Sequence, residues 1–422
     1  MSAEKVLVVG GTGYLGQHLL QGFSEIQGIT PYDLAFTYNS FPPHPLLDAF
    51  PGSLAFHVDL KTGAGFHSIS QQFGQPDVVV NCAALSVPRA CEKDPDAATS
   101  INVPASLVNW LSSFTQNDTT LLIHLSTDQV YEGVKSFYKE EDGALPVNVY
   151  GKSKVAAERF IAEKWTNFAI LRSSIIFGPQ TVSPVPKSLP IQWIDGVLSK
   201  GDKVEFFYDE YRCPVYVKDV VAIILTLIEK WLLEGKKMQL LLNVGGPDRV
   251  SRVQMAEAVA QIRGHDLSLI KPVSASSVDR GVMSPADISM DITKLVQTLN
   301  ISPTPFKDGV KLTLAAEASK LKRMQAFIIV IIGEIDCIVF NVDVLFHYRV
   351  MLNSYQTTER YFKAYFSWVM QSLPFSLYSS QLASATTVYF ISSNRVPLFI
   401  DFRFSFDLSP LVVERLRGSI DR

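Results

Sequence analysis

"KVLVVGGTGYLG", residues 5–16, joins a run of apolar, β-branched residues to a helix-forming stretch through Gly10, Gly13 and Gly16 at three-residue spacing. A glycine-rich turn between strand and helix lets the backbone approach a pyrophosphate, while the helix start offers unpaired N–H groups and the positive end of its dipole. The third glycine permits close packing of helix on strand. A lone glycine pattern is a weak signal. Here it follows "KVLVV" and opens the apolar helix "YLGQHLLQGF", which is the context a dinucleotide site requires. The turn therefore predicts a cofactor held by Gly10, Thr12, Gly13, Tyr14, Leu15 and Gly16.

Working outward, short apolar runs alternate with longer helical stretches to about residue 175. The runs are "KVLVVG", "DLAFTY", "LAFHVDL", "DVVVNCAA", "TLLIHLST" and "FAILRSSIIFG", and the helical candidates include 14–25, 64–73, 99–116 and 150–165. Continuous apolar strands separated by helices mean a parallel sheet covered on both faces, so the fold class is α/β, doubly wound. Loops are expected at "NSFPPHP" and "DGALPVN". Residues 1–180 read as the first domain, with segments near 215–245 returning to it. After the Pro-rich "GPQTVSPVPKSLP", residues 181–320 read as a smaller lobe interleaved with its last strands. Residues 321–422 hold 18 of the chain's 46 aromatics but two of its 24 glycines, lack clean periodicity, and are assigned no domain.

The 422 residues carry a net charge of −3, which gives no electrostatic reason to expect nucleic acid or a membrane surface. The longest apolar run of note, "AFIIVII" at 326–332, is far too short to span a bilayer. Four scattered cysteines without a CxxC pair fit a reducing compartment and argue against a structural zinc; no metal site is expected, and the cytoplasm is the expected location.

At the end of the second strand an acid would accept from both ribose hydroxyls and favour NAD. Tyr38-Asn39-Ser40 stands there instead, with neutral polar side chains, which favours NADP(H) over NAD(H). Asp59-Leu60 ends the third strand, where the acid either meets the adenine or caps a helix. "NCAA" places Cys82, Ala83 and Ala84 where small residues let the backbone pass beside a cofactor; Asn102 is either a polar brace below the site or a satisfied core residue. Ser126 and Thr127 end the fifth strand, on the sheet edge where doubly wound folds bind ligands. Tyr150 follows about two dozen residues later in "VYGKSK", with Lys154 one turn along the same helix. This set reads as a catalytic one. Thr127 or Ser126 holds a substrate carbonyl, and Tyr150 donates a proton as hydride arrives. Lys154 lowers the tyrosine's pKa and holds the nicotinamide ribose.

"GGTGYLG", "NCAA", "STD" and "YGKSK" in this order resemble an extended short-chain dehydrogenase/reductase. "LSTDQVYEG", "PVNVYGKSKVAAE", "LRSSIIFG", "YDEYRCPVYVKDVV" and "SPADISMDITKL" are most similar to the dTDP-4-dehydrorhamnose reductase branch, which also contains the methionine adenosyltransferase regulatory β subunit. The resemblance covers about residues 4–315. It implies a Rossmann domain, a substrate-binding lobe, and a nucleotide-linked 4-keto-6-deoxy sugar in the cleft between them. It also implies that Thr127, Tyr150 and Lys154 face the nicotinamide, that Ile175 lies against nicotinamide or substrate, that Ser86 and Val87 line the pocket, and that Arg212 is a candidate for substrate phosphate. Two functions stay open. One is an NADP(H)-dependent keto-sugar reductase. The other is an NADP-binding regulatory partner of a methionine adenosyltransferase catalytic subunit. Pairing with a second copy of the chain is left open as well.

Overall fold

The six apolar runs, with a seventh strand from the segment near 215–245, pair into one parallel sheet. In the computed structural model, which describes residues 3–26, 32–40, 43–115, 119–185 and 187–319, the strands are β1 (Glu4–Val9), β2 (Tyr32–Tyr38), β3 (Leu54–His57), β4 (Val78–Asn81), β5 (Leu121–Thr127) and β6 (Phe168–Ser173). The short β7 (Ile176–Phe177), β8 (Val204–Phe207), β9 (Tyr211–Arg212) and β10 (Val215–Tyr216) follow, then β11 (Gln239–Val244), β12 (Val250–Ser251) and β13 (Ile270–Val273). The sheet order is β11-β6-β5-β4-β1-β2-β3, so the winding reverses between β1 and β4. Loops leaving those two strands diverge there and open a crevice at the carboxyl ends.

The strands are apolar throughout because each face has its own core. Val6 and Val8 of β1 enter one cluster, Leu7 and Val9 the other, and Val78 and Val80 divide from Val79 in the same way. A period of two with both phases apolar is what helices on both faces require. The helices are α1 (Tyr14–Glu25), α2 (His44–Ala49), α3 (Phe66–Gln72), α4 (Pro88–Lys93), α5 (Pro95–Asn102), α6 (Ala105–Leu111), α7 (Val149–Lys164), α8 (Pro190–Leu198), α9 (Val217–Glu234), α10 (Arg252–Arg263) and α11 (Thr293–Leu299), with a last helix over 306–319. Residues of α1, α9 and α11 fill the first cluster, and those of α3, α6 and α7 the second. A third cluster joins α8, α10, β8, β13 and the last helix into a smaller core.

Three local expectations are corrected. The stretch 99–116 is two helices, because Pro104 lacks an amide hydrogen and pushes Val103 to an extended conformation (φ −81°, ψ 114°). "FAILRSSIIFG" is two strands; after Ser173 the chain leaves the sheet, and β7 pairs with β10 instead. "NSFPPHP" is not all loop, since α2 begins at His44 with a proline in its first turn, where the missing donor costs nothing. The reading of 321–422 lies outside the described residues.

The start of α1 is tied to the connector beyond β7. The Gln17 amide donates to the Thr12 and Ser183 carbonyls (3.0 and 2.9 Å) and accepts from the Ser183 N–H (2.9 Å). Tyr14 donates to the Pro179 carbonyl, and buried His18, edge-on to the Tyr14 ring, places Nε2 3.1 Å from the same oxygen. Burial, aided by Lys218, pushes the His18 pKa down to about 4. Between the ordinary value of 6.5 and about 4 the unfolded chain therefore binds the extra proton. Stability contributed here is present above pH 6.5 and is lost as the pH falls through that window, by at most about 3 kcal/mol. Urea unfolding at pH 7 and pH 4.5 checks this: His18→Gln, neutral at both, should show a clearly smaller difference than the wild type, and an equal difference refutes it.

Candidate functional site

The turn after β1 sits against the loop after β4. Gly10 has φ +82°, and a Cβ there would meet Ala83 backbone and side chain at 3.0 Å. A Cβ on Gly16 would run into the Gly10 carbonyl oxygen, so α1 can lie this close to the turn only with glycine at that position. Gly13 is the N-cap of α1 and supplies no side-chain cap, leaving the helix start open to an anion. Thr37 fixes the turn from β2 by accepting from Gly10 N–H at Oγ1 and from Gly11 N–H at its carbonyl. This cradle of bare backbone, which any side chain would fill, fits a dinucleotide pyrophosphate. Thr12, Tyr14 and Leu15 lie in the turn and first helical residues beside it.

At the end of β2, Asn39 and Ser40 are exposed, Ser40 donating to Asn39 Oδ1. Asp59 is held in a local turn, accepting from Lys61 N–H and Thr62 Oγ1, hydrogen bonds that lower its pKa. Neighbouring Leu60 packs into the second core and accepts from Ser106 at its carbonyl.

α7 starts at Asn148, whose Oδ1 accepts from the Gly151 N–H at 2.8 Å. This places Tyr150 and Lys154 on the buried side of the helix, facing β5. Tyr150 lies beside Thr127, the last residue of β5, and Thr127 Oγ1 donates to Asp128 Oδ1 (3.1 Å). Asp128 in turn accepts from Ser174 Oγ at 2.9 Å; burial raises its pKa against the pull of Arg212. The expected lowering of the Tyr150 pKa is corrected here. Burial raises it, neighbouring Thr127 opposes that, and Asp128 and Cys91 raise it further. Lys154 turns instead toward His124, Nζ lying 3.3 Å from Nε2. Its own pKa is lowered to about 8 by burial, with Glu158 and Cys82 opposing.

The remaining sequence candidates divide between the cleft and its supports. Cys82, Ala83 and Ala84 are half-buried in the loop after β4, Cys82 N–H donating to the Val9 carbonyl. Asn102 is a brace: Oδ1 accepts from Leu85 N–H, and Nδ2 donates to the Leu85 carbonyl and to Ser153 on α7. Ser126 donates to Glu158, so its hydroxyl belongs to the support and not to the cleft. Ser86 accepts from Lys187, Val87 is exposed, and the Ile175 carbonyl accepts from Val215 N–H. Arg212 is buried, its guanidinium donating to the carbonyls of Tyr211, Pro285 and Ala286 and to Ser284 Oγ. Those donors are already committed, which corrects its reading as a phosphate ligand. Beside the start of α7 lies a cavity of about 430 Å³ lined by Glu92, Val147, Asp279, Gly281, Val282 and Met283.

Several residues of the site were given no role from the sequence. Asn81, His124, Asp128, Glu158, Arg172 and Lys187 belong to this group. One signal was available: His124 and Ser126 share a face of β5, and two polar residues at period two inside an apolar strand need partners. Glu158, one turn beyond Lys154, ion-pairs with Arg172 at 2.8 Å, and Arg172 also donates to the Tyr131 hydroxyl. Among the described residues there is no cluster able to hold a metal ion, and no helix long and apolar enough to cross a membrane.

Residues 4–319 match the family described as the RmlD substrate binding domain. Methionine adenosyltransferase 2 subunit beta of Pongo abelii is 30% identical over 312 residues, 74% of this chain and 87% of that protein. A probable low-salt glycan biosynthesis reductase of Haloferax volcanii is 27% identical over 241 residues, 57% of this chain and 77% of that protein. The dTDP-4-dehydrorhamnose reductase of Bacillus anthracis in complex with NADP shares the fold, with a TM-score of 0.61 at 20% identity over 74% of this chain and 99% of that one.

Glu158→Ala would leave the Arg172 guanidinium buried without its counter-charge, which costs about 3–5 kcal/mol. Urea unfolding of the full chain should show a loss of that size, and a loss below about 1 kcal/mol would contradict the assignment.

Proposed function

The chain belongs to the RmlD substrate binding domain family, the dTDP-4-dehydrorhamnose reductase-like branch of the extended short-chain dehydrogenases/reductases, and from that premise we propose that it is an NADP(H)-dependent reductase of a nucleotide-linked 4-keto-6-deoxy sugar. The observation that carries the reading is the burial of Tyr150 beside Thr127 at the carboxyl end of β5, with Lys154 one turn along the same helix. The cofactor, when bound, supplies the hydride to the carbonyl carbon. Gly10, Gly13 and the first turn of α1 hold its pyrophosphate, and the neutral donors Asn39 and Ser40 favour a 2′-phosphate on the adenosine ribose. The B. anthracis reductase was crystallised with NADP, which supports a nicotinamide dinucleotide at this site.

Thr127, its hydroxyl hydrogen turned from Asp128 to the substrate, donates to the carbonyl oxygen, and Tyr150 transfers its proton to that oxygen, so the C=O becomes an alcohol. A tyrosine whose pKa is raised keeps its proton until hydride makes the oxygen basic. Gln129 follows Asp128, where a sugar-nucleotide dehydratase of this superfamily would carry an acid, so simple reduction fits better than dehydration. The substrate lobe is assigned to 181–320. Cys82, Cys91 and Cys213 are free thiols, which fits the cytosol.

A second reading has its own support. The relationship to methionine adenosyltransferase 2 subunit beta spans 87% of that protein, and a regulatory subunit of such an enzyme would keep this site for cofactor binding alone.

The readings separate in one assay. Purified chain with NADPH and a dTDP- or UDP-4-keto-6-deoxyhexose should consume nicotinamide absorbance; no turnover, with co-purification of a methionine adenosyltransferase catalytic subunit, overturns the reductase. Tyr150→Phe should lower kcat by about 10²–10⁴-fold while NADPH affinity stays within a few fold. Wild-type turnover in that variant would remove Tyr150 from the role.

A further inference from the structure

His124 lies fully buried in β5 between two polar neighbours, and the proposed reaction makes no use of it. Its Nδ1 is 3.1 Å from Asn81 Nδ2 and its Nε2 is 3.3 Å from Lys154 Nζ. The direction of these bonds follows from one backbone group. The Ala83 N–H donates to Asn81 Oδ1 at 3.2 Å, so the oxygen of that amide faces the loop and its NH₂ faces the imidazole. An amide NH₂ only donates, so Nδ1 must accept, and a neutral ring then carries its proton on Nε2. That N–H points at Lys154, and an ammonium has no lone pair to receive it. The ladder Ala83, Asn81, His124, Lys154 is satisfied in every member only when Lys154 is a neutral amine.

We propose that His124, oriented by Asn81, is a positioning residue that holds Lys154 as a neutral amine in the cofactor-free chain. The charged groups around Lys154 permit this. Glu158, on the same helix, is neutralised by Arg172 from β6 and accepts from Ser126 of β5. Cys82, after β4, has a thiol pushed up to about 12 by burial and supplies no anion at neutral pH. The imidazole is held well below its usual range chiefly by burial. Burial, with Glu158 and Cys82 opposing, takes the lysine to about 8, and an imidazole N–H presented to its nitrogen moves it further down. On the reductase reading, Lys154 gains charge when the nicotinamide ribose arrives as a new acceptor, so cofactor binding takes up a proton. The ladder itself does not depend on that reading.

The test is ¹⁵N and ¹³C NMR of the full cofactor-free chain with labelled histidine and lysine. His124 should be the Nε2–H tautomer, and Lys154 should titrate with a midpoint below 8. An Nδ1–H tautomer, or a Lys154 midpoint at the ordinary lysine value of about 10.4, overturns the proposal without any variant. Asn81→Asp places an acceptor opposite Nδ1 and should switch His124 to Nδ1–H and raise the Lys154 midpoint by about one unit or more. An unchanged tautomer in that variant also overturns it. Calorimetry with NADPH in buffers of different ionisation enthalpy is a separate measurement. Absence of binding counts against the reductase reading, whereas binding without proton uptake counts against the neutral lysine.

Discussion

The approach of Gly10 to Ala83 is the constraint on which the rest of the site depends. Two loops leave neighbouring strands in opposite directions, and between them there is room for backbone alone. That narrowness brings the start of α1 to the edge of the sheet, where its uncapped amides face the crevice. It also sets the position of the loop after β4, which Asn102 then clasps to α7 through Leu85 and Ser153. The glycine turn and Tyr150 are thus located relative to each other by one line of contacts: Gly10 to Ala83, Leu85 to Asn102, Ser153 to Tyr150.

Behind the cleft, buried charge is arranged in matched pairs. Glu158 meets Arg172, which meets the Tyr131 hydroxyl, itself bonded to Asn243 of β11. Asp128 lies beneath Thr127 with Arg212 as its largest favourable charge. The Glu158–Arg172 pair is screened little by solvent and is costly to break from one side. Lys154 sits among them with an imidazole where an ammonium would want an anion, and that makes its protonation responsive to what binds.

Much of this was legible in the sequence, for identifiable reasons. The sheet was readable because strands covered on both faces are apolar in both phases, as Val6 to Val9 show. Helix limits were less so: Pro104 divides a stretch whose apolar spacing runs on past it. Thr127, Tyr150 and Lys154 could be named from order and spacing, and the structure brings them to one place. What spacing does not carry is the dielectric. The sequence reading let a nearby ammonium lower the tyrosine, whereas burial governs both groups and the lysine has another partner. Arg212 was misread for a related reason, since nothing in "YRCPVY" announces that three carbonyls converge on its guanidinium. His124 passed as one polar letter in an apolar strand.

Gln17 bridges Thr12 and Ser183, so the first turn of α1 and the connector into the second lobe are mechanically one part. Any displacement of that connector pulls on the pyrophosphate turn, and anything that stiffens the turn stiffens the connector. A proline at Ser183, on the face of it a change in a linker, would remove the N–H that Gln17 accepts and so reach the glycine turn.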